Sequence, residues 1–551
     1  MTTIAHNQDP GCMHNTPCPV DTGPETEAIC LDCALSHIDN GTDDKLEPAP
    51  QVDEVAPLSV ESNFIPTPPI NTLPAEILMR IFGYAQYLWR TKYMKKEKDD
   101  SPAIWDRSIR NQMTLGSPEV LSHVCSLWRE IVLGSPVLWS QLDLYTLGRS
   151  PQMFLARCSA FVPRTQNQEL ILIARFRHCE DEPLGDCAAM REFCTSLSPR
   201  LRAFSIDNLA PNDAAFATSI IQATLPHTIP GMLTGLYIKD YVARTILTQR
   251  NHYDSDGLVG WELPTAETFG ISQHLLDSIV RPIKSLRLRG QFFPWTSPAY
   301  HRLKELHLLC TRPIRGHRPF IRVPQLREIL LACPELRILH ININITGNDM
   351  CPVLTPVPLK DLEDLNLRGL SRRFYNDLLP LLAPGQKPLQ LTFQTQPEAA
   401  APLYCPTILS LLRRSNVTGL YILNRPSFDQ YLNIDQFLAE SPTKLRTLGL
   451  ERIKISEVDL SQFDHLKRQP PIQVNCLCLR KCTIDLNALE RLAEILPAQV
   501  LKLHEPEFLG VSGEDEIQVR ERIAQMFPTV KWVRSSRDME LWDAWELEYI
   551  D

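Results

Sequence analysis

The sequence predicts an α/β chain in which a small helical module leads into a long array of parallel strands joined by helical or irregular returns. Three observations carry that expectation. Beyond Trp139 an apolar-x-apolar pair recurs, most often with another apolar residue three positions earlier, at intervals that mostly lie between 24 and 34 residues. Between Leu73 and Trp139 stand two apolar stripes at helical spacing. Residues 1–70, by contrast, carry ten prolines and almost no apolar periodicity.

That first stretch holds 12 Asp and Glu against one Lys, so most of the net charge of −9 sits there and the remainder is near +2. It cannot bury enough apolar surface to offset the entropy of ordering, so residues 1–69 are expected to be a disordered acidic, Pro-rich tail. Cys12, His14, Cys18, Cys30, Cys33 and His37 fall within it. Thiolate and imidazole suit tetrahedral zinc, and Cys30-x-x-Cys33 is a usable pair, but Cys12 and Cys18 are too far apart for the usual second one. Free thiols are the reading adopted, with no metal and no cofactor.

The module is expected over residues 70–144. Its first half reads Thr72-Leu73-Pro74-Ala75-Glu76-Ile77-Leu78-Met79-Arg80-Ile81-Phe82. Pro74 suits a first helical turn, where a missing N–H costs nothing, and Glu76 complements the positive end of the helix dipole. Ile77, Leu78, Ile81, Phe82 and Ala85 then share one face. The second half opens at Ser117-Pro118 and carries Val120, Leu121, Val124, Cys125, Trp128, Ile131 and Val132 as a second stripe, followed by Ser135-Pro136-Val137-Leu138-Trp139. Between the halves, about residues 87–116, Arg90, Lys92, Lys95, Lys96 and Lys98 crowd an insert expected to be a loop. A module this small cannot bury two such stripes and two tryptophans by itself, so another chain is expected to cover part of it.

Leu-Pro-x-Glu-Ile-Leu-x-x-Ile-Phe, then Val-Cys-x-x-Trp-Arg, then Leu-Trp, resembles an F-box. The resemblance implies docking on the Skp-type adaptor of a cullin-RING ubiquitin ligase. It implies that Leu73, Pro74, Ile77, Leu78, Ile81, Phe82, Val124, Cys125, Trp128 and Trp139 are adaptor-facing or module-core positions, two roles that sequence alone does not separate. The module followed by irregular, Pro-rich repeats is most similar to the large fungal groups of such proteins.

The repeats occupy residues 145–535. Leu336-x-x-Leu339-x-Ile341-x-x-Asn344 and Val474-x-x-Leu477-x-Leu479-x-x-Cys482 are good copies. They look like leucine-rich repeats, which implies a solenoid with parallel strands inside and helices or irregular returns outside. The first residues of the pairs fall at 142, 170, 204, 236, 286, 306, 339, 365, 389, 420, 448, 477, 501 and 530. The 50-residue gap from 236 to 286 holds either a degenerate repeat or an insertion around Asn251 to Trp261. Asn344 and Cys482 stand where the turn after a strand needs a side chain to meet backbone groups or fill a tight core site. Residues 536–551, with Leu541, Trp542, Trp545 and Tyr549 spaced for one helical face, are expected to cap the last rung.

Side chains alternating with the leucines should face the open inner wall. These are Tyr237 and Lys239, Arg287 and Arg289, His307, His340 and Asn342, Asn366 and Arg368, Tyr421, Glu451, Arg480, Lys502 and His504. Bases outnumber acids among them, which points to an acidic or phosphorylated client, with Lys239, Arg287, Arg289, His307, His340, Arg368, Arg480 and Lys502 as its contacts.

No glycine-rich phosphate loop, His-Glu-x-x-His or Gly-x-Ser-x-Gly is present, so no catalytic site is expected. Sixteen scattered cysteines without an apolar leader point to a reducing compartment, cytoplasm or nucleus. No apolar run is long enough for a membrane span, and the interrupted Lys95-Lys96-Glu97-Lys98 is a soluble loop, not a nucleic-acid contact. The expected function is substrate recognition in a Skp-cullin-F-box ligase; the alternative is a non-catalytic repeat scaffold outside ubiquitin transfer.

Overall fold

A computed structural model describes residues 69–96, 118–145, 151–176, 187–208, 214–240, 252–253, 259–260, 266–267, 269–310, 320–347, 355–370, 372–394, 406–424, 445–456, 474–510 and 516–533. The acidic tail with its cysteines and histidines, Ser117, Lys98 and most of the basic insert, and the expected end cap lie outside the described residues.

Fourteen strands form one sheet in chain order, every neighbour parallel. We number them β1 (Gln141–Tyr145), β2 (Leu170–Phe176), β3 (Leu201–Asn208), β4 (Gly235–Asp240), β5 (Ser285–Arg289), β6 (Glu305–Leu309), β7 (Ile338–Asn342), β8 (Asp364–Leu367), β9 (Leu389–Gln394), β10 (Val417–Leu423), β11 (Thr447–Glu451), β12 (Val474–Arg480), β13 (Ala498–His504) and β14 (Thr529–Val533). A parallel neighbour needs a crossover, and the strands follow one another across the sheet in chain order. This is the leucine-rich-repeat solenoid expected of the sequence.

Register shows why the leucines recur. Leu306, Leu339 and Leu365 are partners across β6, β7 and β8, and Leu448, Leu477 and Leu501 across β11, β12 and β13. All six are buried, and a single core runs from the module to the helix Glu516–Met526. The positions expected from the sequence coincide with this row except at 170 and 389. There the residues in register are Leu172 and Leu391, two positions on, next to irregularities in strand pairing at Leu170/Ile171 and Leu389/Gln390. Both strands carry three alternating apolar residues, so the pattern alone could not say which two were the rung.

Leu236 of β4 pairs directly with Leu286 of β5. The long interval between them is therefore an insertion, not a hidden rung, and it contains the antiparallel pair His252–Tyr253 and Val259–Gly260. After several strands the chain takes a left-handed residue before a second, shorter strand begins. Arg452, Lys481 and Glu505 occupy that step, with φ of 56°, 50° and 47°, and Gly290 and Gly369, with φ of 76° and 82°, hold the same post-strand position where no short strand follows. Cys482 then fills the tight site as expected, its thiol buried and donating to the Leu450 and Arg480 carbonyls at 3.3 and 3.4 Å. Asn344 does not: it is half-buried at the start of the short strand Asn344–Thr346, and the buried neighbour is Ile343.

The module precedes β1. Helix α1 (Ala75–Lys96) is longer than expected, its backbone continuing through the first ten residues of the insert, where no Gly or Pro interrupts it. The second expected stripe is broken in two, α2 (Pro118–Ser122) and α3 (Ser126–Leu133), followed by the short α4 (Pro136–Trp139). The break falls at Cys125, whose sulfur accepts the Trp128 N–H at 3.5 Å and so caps α3. Among the described residues no helix is long and apolar enough to cross a membrane.

Candidate functional site

Helix geometry divides the module's apolar residues. Leu78 and Phe82, one turn apart on α1, are fully buried against Leu121, Val132, Leu138 and Trp139. Trp128 tilts against Phe82 with ring centroids 4.6 Å apart and donates its indole N–H to Asn71 at 2.9 Å. Trp139 donates to the Val132 carbonyl at 2.8 Å and meets the Phe161 ring of α5 (Pro151–Phe161) edge-on at 4.9 Å. Arg157 of α5 grips Glu119 of α2 through two nitrogens at 2.6 and 3.2 Å. The module and the first rung therefore share one core, and Leu78, Phe82 and Trp139 are its framework.

The neighbouring helical row points the other way. Leu73, Ile77 and Ile81 are 38%, 41% and 38% exposed, Pro74 is exposed beside them, and Val124 follows at 56%. Sequence placed these with Leu78 and Phe82 as one group, because residues one position apart on a helix look alike in a stripe yet sit about 100° apart around its axis. Cys125 and Trp128 lie between the two sets, half-buried. Five exposed residues were not among the candidates: Ile70, Tyr84, Leu127, Leu133 and Val137. Val137, inside the Pro-Val-Leu-Trp run, was legible as apolar, but only the buried orientation of Leu138 and Trp139 shows that it faces out. Exposed apolar side chains are thus contributed by the entry segment, α1, the α2–α3 junction, α3 and α4.

The sheet face away from the leucines behaves in the opposite sense. Lys239, Arg289, His307, His340 and Arg480 are buried, so the expectation of an open, basic wall is corrected at these positions. Carboxylates meet them there: Asp207, Glu305 and Asp364, which the sequence reading did not include, and Glu451, which it did. Asp207 receives Arg175 at 3.5 Å and Lys239 at 3.6 Å. Glu305 is in contact with Arg287 and Ser285, and its carboxylate lies 2.8 Å from His307 Nε2. The His307 and His340 rings lie 4.0 Å apart, and His340 reaches Asp364 at 3.2 Å. Glu451 faces Arg480 at 3.3 Å and Arg368 at 3.8 Å. Glu305 and Asp364 sit immediately before Leu306 and Leu365, so reading the alternation one step earlier in each strand would have found them.

Burial pushes the Glu305 carboxyl up, but the His307 hydrogen bond and the Arg287 charge outweigh it and hold it at about 2. His307 is pushed down to about 3, by burial first and by the adjoining His340 second. The carboxylate is thus charged and the His307 imidazole neutral at pH 7. Arg287 also lies over the Tyr237 ring at 5.2 Å. Further along, Tyr421 is buried with Leu423, Cys478 and Val533 in a separate apolar cluster. Its ring crosses Gly449, where an added Cβ would meet it at 2.3 Å. Asn342, Asn366 and His504 are buried as well. Of the expected client contacts, Arg287, Arg368 and Lys502 remain half-buried, and none of the eight is fully exposed. Among the described residues no group of three or more His, Cys, Asp or Glu is arranged to hold a metal ion.

No family model matches the chain, and no curated protein matches it. Among solved structures, the chain is similar to one in the crystal structure of the yeast Rad7 and Elc1 complex, at 13% identity and a TM-score of 0.30 over 80% of this chain and 96% of that one. It is also similar to a leucine-rich-repeat protein of Leptospira interrogans, at 13% identity and a TM-score of 0.25 over 66% and 96%. Both likenesses are low, and the repeat fold stands on the register of its own strands.

Proposed function

We propose that the chain is the client-recognition subunit of a Skp-cullin-F-box ubiquitin ligase. The helical module docks a Skp-type adaptor, the repeats hold a client protein, and the transfer chemistry belongs to other subunits. The observation that carries this reading is the exposed row Leu73, Ile77, Ile81, Val124 and Val137 on a module whose F-box-like residue order is intact. Scattered exposed leucines are ordinary, but a run of them on one small module is the mark of a covered surface.

The division of labour within the motif follows. Leu78, Phe82 and Trp139 hold the module together, Trp128 and Cys125 set the angle of α3, and the exposed row makes the contact. Client binding falls on the repeats, outside the stretch where Arg287, Glu305, His307, His340 and Asp364 are in contact with one another.

The test is co-purification of the full chain with a Skp-type adaptor, comparing wild type with the Ile77→Asp/Ile81→Asp double variant. Loss of the adaptor with an unchanged melting temperature is expected. Retention of the adaptor by a well-folded double variant would overturn the assignment of this face.

A further inference from the structure

Along the open face of the sheet, cations are matched to carboxylates on nearby strands: Arg175 and Lys239 to Asp207, Arg287 to Glu305, Arg368 and Arg480 to Glu451. The last two strands break this rule. Lys502 of β13 and Lys531 of β14 are register partners, so two ammonium groups project to the same side from strands about 4.8 Å apart. Among the described residues neither has a carboxylate within ion-pair distance, and none of the open-face positions of β12, β13 and β14 is acidic. Like charges side by side on neighbouring strands are destabilising, and Lys531, exposed at the sheet edge, has full access to an anion.

The chain continues from Val533 into a stretch rich in the missing charge. Asp538, Glu540, Asp543, Glu546 and Glu548 follow within fifteen residues, against Arg534 and Arg537. Five residues of extended chain reach about 17 Å, ample to bring Asp538 back over Lys531. Tethering so close to the strand also gives these carboxylates an effective concentration of about millimolar, well above what a free peptide would supply.

We propose that the acidic segment after β14 occupies the cationic end of the open face, its carboxylates pairing with Lys502 and Lys531. The segment is thereby a built-in occupant of that end, and an acidic client reaching Lys502 has to displace it. The proposal is independent of adaptor docking and concerns the isolated chain.

The experiment is zero-length carbodiimide crosslinking of the full-length wild-type chain, with the amide links mapped by peptide mass spectrometry. Mixing isotopically labelled and unlabelled protein distinguishes links within a chain from links between copies. Lys304–Glu335 at 3.7 Å and Lys387–Asp361 at 2.9 Å serve as internal positive controls. Links within one chain from Lys502 or Lys531 to Asp538, Glu540 or Asp543 are the expected result. Three results would overturn the proposal: no link from either lysine while both controls form, links only to acids elsewhere in the chain, or links only between copies. A segment packed solely over Val530 as an end cap predicts the first of these.

Discussion

The helical module and the open face of the sheet reverse the usual fates of their residues, each in its own direction. In the module Ile77, Ile81, Val124 and Val137 stand in water, while in the sheet His307, Lys239 and Arg480 are withdrawn from it. A large exposed apolar row on a module this small is unfavourable until something covers it. A buried cation is unfavourable until a carboxylate faces it, and Asp207, Glu305 and Glu451 do so within the same chain. The comparison teaches where each region obtains its compensation. The sheet finds it internally, within and between neighbouring rungs, and among the described residues the module leaves its apolar row uncovered.

The largest effects should follow from breaking the compensation inside the chain. Phe82→Ala removes a fully buried ring from the module core and is expected to cost about 3–5 kcal/mol. Ile81→Asp, one residue away on the exposed row, should leave the melting temperature within about 1 °C, because surface changes of this kind stay near zero. Equal destabilisation by the two in thermal melts would erase the distinction between the rows. In the sheet, Glu305→Ala strands Arg287 and His307 and should cost about 3 kcal/mol.

Next in size is a dependence on pH. Glu305 falls from 4.5 in the unfolded chain to about 2 in the folded one, so its contribution is present above pH 4.5 and is lost as pH falls toward 2. The folded state also holds His307 neutral, at about 3 against 6.5, so that contribution is full above 6.5 and drains away as pH falls toward 3. Both act in the same direction: stability decreases with acid. Each site adds a slope of at most about 1.4 kcal/mol per pH unit within its window. Denaturant unfolding from pH 7 to pH 4 should therefore show a shallower loss for His307→Gln than for wild type. Parallel profiles would mean that the imidazole is not held neutral by its surroundings.

The smallest expected effect is a gain. Lys481 adopts φ of 50° at the step where other rungs use Gly290 and Gly369. Lys481→Gly should relieve the left-handed strain and stabilise the chain by about 0.5–1 kcal/mol in the same unfolding assay. A loss of stability would show that its ion pair with Glu505, 3.2 Å apart, outweighs the strain.

Local periodicity made the repeats readable. Alternating leucines such as Leu477 and Leu479 fix which face of a strand is buried, and stacking of like rungs then follows without further information. It misplaced the rung only where three alternating apolar residues in β2 and β9 left two choices. What stayed hidden was nonlocal. The outward turn of Ile77 beside the inward turn of Leu78 depends on where α3 and α4 pack. The pairing of Lys239 with Asp207 joins residues 32 apart in sequence, and nothing in either strand alone announces it. The break at Cys125 depends on a sulfur taking a backbone N–H, a capping role that sequence rules give to Ser, Thr, Asp and Asn.

The central claim is that the exposed row on α1, at the α2–α3 junction and on α4 is completed by another protein. Calorimetric titration of a Skp-type adaptor into the full-length chain, repeated at several temperatures, tests it most directly. The account predicts a one-to-one complex with a negative heat-capacity change, the signature of apolar burial, and its loss in Ile77→Asp/Ile81→Asp. A cooperatively folded wild-type chain that takes up no adaptor at any temperature would contradict it.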